Sequence, residues 1–346
     1  MHLSLRDMVS GQVSDLLDTE GMQCSATHKG LILLINSLAL YRDEGRALFP
    51  EVFVFDKLDQ ILQMLPFSEH VPIGSGPKTE GTMTDALKKC APLAQDGWAI
   101  YILRDSNAFH YGLFRSGKHI LSVRPDDLLI ENGEPEVPAL FVHQIADGTV
   151  ELRGVNGGTL VVTFGASRAS ETSPVDAQRA LVASIVADVQ EDIREQTAAF
   201  YRSLVSRVVK AGHGTLAVVL PRGKRSLPRI FKDGIPLKPA VSVAEGISEL
   251  IQYDSCAANT TLQAKGALIT GMLLSDGITA FASDGSVRGY KIFVKHPSKN
   301  TNPNAGGARR RTFELLKSRV GQEVACAFMQ SQDGATDYKR RENGIN

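Results

Sequence analysis

Cysteine is scarce in this chain. Its 346 residues hold four, Cys24, Cys90, Cys256 and Cys326, with no C-x-x-C pair and no histidine at metal-ligand spacing beside any of them. That pattern implies no disulfide framework and lacks the ligand spacings of a structural zinc site, which leaves the cysteines as small apolar residues. A surplus of charge is also missing: 38 Lys+Arg balance 38 Asp+Glu, for a formal net charge of zero. A general nucleic-acid binder carries a basic excess, so nucleic acid is not an expected partner, although a local basic patch stays open. Long apolar runs are absent as well. No stretch approaches the ~18 uninterrupted apolar residues of a membrane-spanning helix. Met1–Gln12 lacks the basic segment and apolar run of a secretory signal. The expectation is a soluble, cytoplasmic protein without a membrane partner. Hydrophobic residues at 43% and charged residues at 22% suit a globular chain. Its length fits two domains of ~100–200 residues each.

Hydrophobic periodicity divides the chain. Residues 7–18 and 30–47 show helical spacing, and in the second Leu31, Leu34, Ile35, Leu38 and Leu40 share a core face. Val52–Phe55 reads as a buried strand, Leu58–Leu65 as a helix, and residues 98–104 and 110–115 as paired strands. Further strands are expected at 119–123, 139–145, 149–154 and 159–164, with hairpin signals at Asp147-Gly148 and Asn156-Gly157-Gly158. Residues 1–168 therefore read as an α+β domain. The Ser-, Ala-, Thr- and Pro-rich stretch 166–176 reads as a linker. Val182, Val186, Val189, Ile193, Phe200, Leu204 and Val208 then form one stripe at steps of three and four. This predicts a single long connecting helix within a 169–211 segment. Such a helix either packs along a domain surface or serves as a dimer or signal-transmitting helix.

From residue 212 to 346 the pattern changes to α/β around a mixed sheet. Thr215–Leu220 is an unbroken apolar strand of the kind covered on both faces. Helices are expected at 243–253, 261–273 and 308–319, and strands at 278–282, 288–294, 323–329 and 335–338. Two sites in this region could carry chemistry. Gly306-Gly307-Ala308-Arg309-Arg310-Arg311-Thr312 opens a helix. Glycines let backbone N–H groups approach a ligand, and a helix N-terminus offers free donors and partial positive charge. Arginines in that first turn oppose the dipole, so a bound phosphate would relieve a local electrostatic cost. The same residues would also serve as a solvated basic turn. Asp276-Gly277 precedes an apolar strand, and by itself marks a turn. Elsewhere, Gly74-Ser75-Gly76-Pro77-Lys78-Thr79 departs from P-loop spacing and is interrupted by Pro77. His110, His119 and His143 lie on expected strands, where a lone histidine is structural, and no nucleophile elbow supports hydrolysis.

The order of these pieces resembles the diadenylate cyclase domain of DisA-type proteins. The strand Gly214–Val219 comes first, then Asp276-Gly277-Ile278, then Gly307-Ala308-Arg309-Arg310-Arg311-Thr312, then Ser331-Gln332-Asp333-Gly334. That family has a D-G-A motif and a G-T-R-H-R-[ST] motif in this order and at similar spacing. The first half is similar, more loosely, to sensor domains that precede such cyclase domains, in the group called DACNV. Tyr41–Arg46, the strands around Trp98 and Gly112, and His213–Leu216 carry that likeness. The resemblance implies an ATP site and a homo-oligomer. Two facing protomers would each bind ATP, and each 3′-hydroxyl would attack the other's α-phosphate, giving cyclic di-AMP and two pyrophosphates. Mg²⁺ or Mn²⁺ would help neutralise the phosphates. Mapped by resemblance, Asp276 would orient or deprotonate the hydroxyl. Gly277, Ile278, Gly307, Arg309, Arg310, Arg311, Thr312 and Ser331 would bind nucleotide. This chain departs from the family at Ile278, Ala308 and Arg310, the last replacing the middle histidine. A guanidinium has no free acceptor for a metal. Three outcomes follow: a regulated cyclase, a nucleotide-binding module without turnover, or a structural or assembly role with an empty site.

Overall fold

A computed structural model describes residues 5–95, 97–116, 125–126, 129–130, 136–146, 148–164, 174–211, 214–224, 226–253, 255–294, 307–331 and 335–341. The chain forms two compact units, Met1–Ala166 and Ser167–Asn346. Both are α/β with mixed sheets. The expected strand at 119–123, Asp147, most of the 166–176 stretch, His119, Gly212, His213, Gly306 and Gln332–Gly334 lie outside the described residues.

The first unit runs α1 (Leu5–Thr19), α2 (Ser25–Ala39), β1 (Arg42–Asp43), β2 (Arg46–Ala47), β3 (Val52–Phe55), α3 (Leu58–Met64), β4 (Glu69–Pro77), α4 (Glu80–Cys90), β5 (Ala99–Arg104), β6 (Ala108–Arg115), β7 (Ala139–Ala146), β8 (Thr149–Gly154) and β9 (Thr159–Thr163). Seven strands form one sheet in the order β4-β6-β5-β3-β7-β8-β9, with β3 and β5 parallel. β3 is buried throughout because each face is covered. Val52 and Val54 meet Leu31, Leu34 and Leu38 of α2, while Phe53 and Phe55 meet Ile61 of α3 on the other side. Arg104 locks the α1–α2 turn: it holds the Asp56 carboxylate at 2.6 and 2.8 Å and donates to the Met22 carbonyl at 2.6 Å. One sequence expectation changes here. The helix expected over 30–47 ends at Ala39, because residues 42–47 turn through Glu44 and Gly45 at positive φ into the β1–β2 ribbon. In the Gly74–Thr79 stretch, Gly74–Pro77 is the end of β4, and Lys78 Nζ just beyond it donates to the Asp105 carbonyl at 2.7 Å.

The second unit runs α5 (Pro174–Ile185), α6 (Glu191–Lys210), β10 (Thr215–Leu220), β11 (Phe231–Lys232), β12 (Ile235–Ser242), α7 (Val243–Tyr253), α8 (Cys256–Leu274), β13 (Ile278–Ala282), β14 (Ser286–Val294), α9 (Ala308–Ser318), β15 (Cys326–Gln330) and β16 (Thr336–Arg340). Its sheet has the order β11-β14-β13-β10-β15-β16, with β12 also on β14. β10 and β13 are parallel, and β15 runs antiparallel to β10. Phe313 and Leu316 bring α9 down on Leu216, Val218, Ile278, Ala280 and Ile292.

The single long connecting helix is not formed. The apolar stripe is real, but it is divided between two helices of the second unit, α5 and α6, and the turn between them, which carries Val186 and Val189; Val182, Val186, Val189, Ile193, Phe200, Leu204 and Val208 are all buried. The break has a backbone cause. Gly285 N–H donates to the Ile185 carbonyl at 2.9 Å, and Asp188 N–H donates to the Ser283 carbonyl at 2.8 Å. The β13–β14 turn thus takes up the groups that would have continued the helix.

Candidate functional site

The site is assembled at one end of three adjacent strands. Leu216 pairs with Ile278 across the parallel β10–β13 ladder, so Gly214 and Asp276-Gly277 lie just before the same end. Thr215 pairs with Gln330 across β10–β15, which brings Ser331 to that end too. The last turn of α8 is pinned there by hydroxyls. Thr215 Oγ1 donates to the Leu273 carbonyl at 3.2 Å, Thr279 Oγ1 to the Met272 carbonyl at 3.0 Å, and Ser275 Oγ to the same carbonyl at 2.7 Å. These satisfy carbonyls that a helix end leaves without partners and set where the chain turns into Asp276.

Asp276 is exposed, and its Oδ1 accepts from the Gly277 N–H at 3.0 Å. Gly277 has φ +94, and a methyl group there would lie 3.0 Å from the Ile292 carbonyl oxygen. Only glycine allows both the backbone conformation and the close approach to β14. Across this contact Lys291 sits at φ +50, in the left-handed region that a non-glycine residue rarely occupies.

The arginine turn meets this end through one side chain. A methyl group on Gly214 would lie 2.7 Å from Nη1 and 3.1 Å from Cζ of Arg309, so that guanidinium rests on the Gly214 backbone. Arg309 is half-buried, and among the described residues no carboxylate pairs with it. Arg310 behaves differently. It is 2.9 Å from Glu314 and 3.1 Å from Asp337, and lies over the Phe313 ring. Its charge is therefore spent on α9 and β16. Gly307 caps α9 without a side-chain hydrogen bond, and Arg311 and Thr312 are half-buried in the first turn. Ser331 is occupied by its own turn, since its N–H and Oγ both donate to the Ala335 carbonyl at 2.8 and 3.1 Å.

The structure therefore brings Asp276, Gly277, Ser331 and Arg309 to one end of the sheet, and with them Gly214. It turns Arg310 to other partners. Ile278 is only 1% exposed and packs in the core beside Phe313, so its side chain has no path to a ligand. In the sequence Gly214 entered only as the first residue of the strand Gly214–Val219 and of the His213–Leu216 likeness; nothing local tied it to Arg309.

Compared with protein-family models, curated proteins and solved structures, the chain matches none. Among the described residues no three His, Cys, Asp or Glu side chains come together as metal ligands. The donor chemistry at the strand end agrees: among the described residues Asp276 is the one carboxylate placed there, and Arg309 rests on Gly214 at the same end. These residues do not fit a metal held by protein ligands alone. No helix among the described residues is long and apolar enough to cross a membrane.

Proposed function

We propose that the second unit binds ATP at the strand end formed by Gly214, Asp276, Gly277 and Ser331, with the phosphates on Arg309 and the first turn of α9. The observation that carries this reading is the half-buried Arg309 guanidinium, which rests on Gly214 and, among the described residues, pairs with no carboxylate. A desolvated guanidinium favours an anion, and the adjacent helix N-terminus adds N–H donors. Asp276 stands at the same end, free of burial, where a ribose hydroxyl could reach it.

In the diadenylate cyclase reading, Asp276 takes the proton of the 3′-hydroxyl as that oxygen bonds to the α-phosphorus of a second ATP, and pyrophosphate leaves. Two reciprocal steps between facing protomers yield cyclic di-AMP. The first unit then serves as a regulatory sensor. Any Mg²⁺ or Mn²⁺ would come as a partner of the nucleotide phosphates. A second reading, nucleotide binding without turnover, is favoured by Arg310, which is engaged by Glu314 and Asp337 at the position of the family's histidine.

The purified chain incubated with ATP and Mg²⁺ or Mn²⁺ separates the two. Cyclic di-AMP that forms with a specific activity rising with protein concentration supports the cyclase. Saturable ATP binding with no product supports the sensor. Absence of binding refutes both.

A further inference from the structure

We infer that Gly214 is a positioning residue of the nucleotide site, its missing side chain being the seat of the Arg309 guanidinium. The inference rests on the nucleotide-binding reading given above and adds a residue to it. Two independent features of Gly214 support it. Its φ of +72 lies in the left-handed region, which glycine occupies at no steric cost. Its empty side-chain position is also filled: a methyl group would stand 2.7 Å from Arg309 Nη1, 3.1 Å from Arg309 Cζ and 3.1 Å from the Gln330 carbonyl oxygen.

The Gln330 backbone belongs to β15, whose neighbour Ala327 shares the core beneath α9. It cannot retreat without breaking the β10–β15 ladder. Arg309 ends in a flexible guanidinium, so it is the group that would move. Any side chain at residue 214 therefore evicts the guanidinium from the strand end, while the Asp276 turn and α9 stay in place. Among the described residues no carboxylate pairs with Arg309 to hold it elsewhere. Gly214 thus acts on the ligand through Arg309 and need not touch it.

The test is a double-mutant cycle in the full chain, read as ATP affinity by calorimetry. Gly214→Asn is the main variant, because asparagine tolerates positive φ better than other non-glycine residues while it still places a Cβ in the seat. Gly214→Ala is the parallel variant, and thermal melting gives the folded fraction of each sample. Arg309→Ala is expected to weaken ATP binding by about tenfold or more. Gly214→Asn should weaken it to a similar extent. The double variant should bind within about twofold of Arg309→Ala alone, because the second change removes what the first has already displaced. Wild-type affinity in folded Gly214→Asn overturns the inference. So do losses that multiply in the double variant, which would mean that Gly214 acts independently of Arg309. Wild-type affinity in Arg309→Ala is a different result: it removes the phosphate-site reading itself, and this inference with it.

Discussion

Arg309 and Arg310 are adjacent in the first turn of α9 and have different surroundings. Arg310 sits between Glu314 and Asp337, while Arg309 lies against Gly214. Their substitutions should separate accordingly. Arg310→Ala removes two ion pairs that are partly solvent-screened, so it should cost about 0.5–1 kcal/mol of stability and leave ATP affinity close to wild type. Equilibrium denaturation and calorimetry of that variant check both halves. A large loss of affinity would return Arg310 to the phosphates. A second residue-scale prediction concerns pH. Burial pushes the Cys326 thiol up from 9.0 to about 11, partly opposed by Ser184 and Arg340. A raised pKa means that the folded state favours the neutral thiol. Its contribution is complete below about pH 9 and is lost as pH rises through about 11, on the order of 2–3 kcal/mol. Thermal melting should therefore decline between pH 9 and 11, and Cys326→Ala should flatten that part of the curve. An unchanged slope in the variant would show that other groups govern alkaline unfolding.

Among the elements, Gly285 shows how a turn can overrule a helix pattern. Its N–H caps the end of α5 at Ile185, and its carbonyl accepts from Val243 N–H at 3.2 Å and Tyr201 Oη at 3.0 Å. It sits at φ +75, where a methyl group would lie 3.1 Å from Val189 Cγ2 and 3.3 Å from Thr197 Cγ2. Gly285→Ala should therefore cost about 1–3 kcal/mol, measured by chemical denaturation, and a neutral result would contradict this account of the α5–α6 break. The sequence shows Val182 through Val208 as one stripe because both helices bury the same kind of side chain. It does not show the break, which is made by backbone groups of a turn far along the chain. Val52–Phe55 and Thr215–Leu220 were legible because a strand covered on both faces needs an unbroken apolar run. β4 was not, because it is an exposed edge strand carrying Pro72, Gly74, Gly76 and Pro77, and its apolar alternation stops at Val71 and Ile73, both exposed. α4 after it buries Met83, Ala86, Leu87 and Cys90 at helical spacing, a signal interrupted by Gly81 and threonines. At the candidate site, Asp276-Gly277 and the arginine turn were legible as local motifs. The contact of Arg309 with Gly214 depends on strand order, which no local pattern carries.

At the scale of the whole molecule, α5 and α6 change where the second unit begins. Leu181, Ile185, Tyr201, Leu204 and Val208 are buried within that unit, and Gln330 Nε2 donates to the Val209 carbonyl at 2.8 Å. A fragment beginning at residue 167 should fold cooperatively, whereas one beginning at residue 212 should not, because it leaves this apolar surface uncovered. Circular dichroism melting of the two fragments decides this, and a cooperative transition in the shorter one would show that the helices are dispensable. The central claim is that a nucleotide's phosphates occupy the Arg309 end of the sheet. A crystal structure of the full chain grown with ATP tests it most directly. The account predicts triphosphate oxygens within hydrogen-bond distance of the Arg309 guanidinium and the first-turn N–H groups of α9, with the ribose toward Asp276. ATP bound elsewhere, with Arg309 still on Gly214 and no phosphate beside it, would contradict the account.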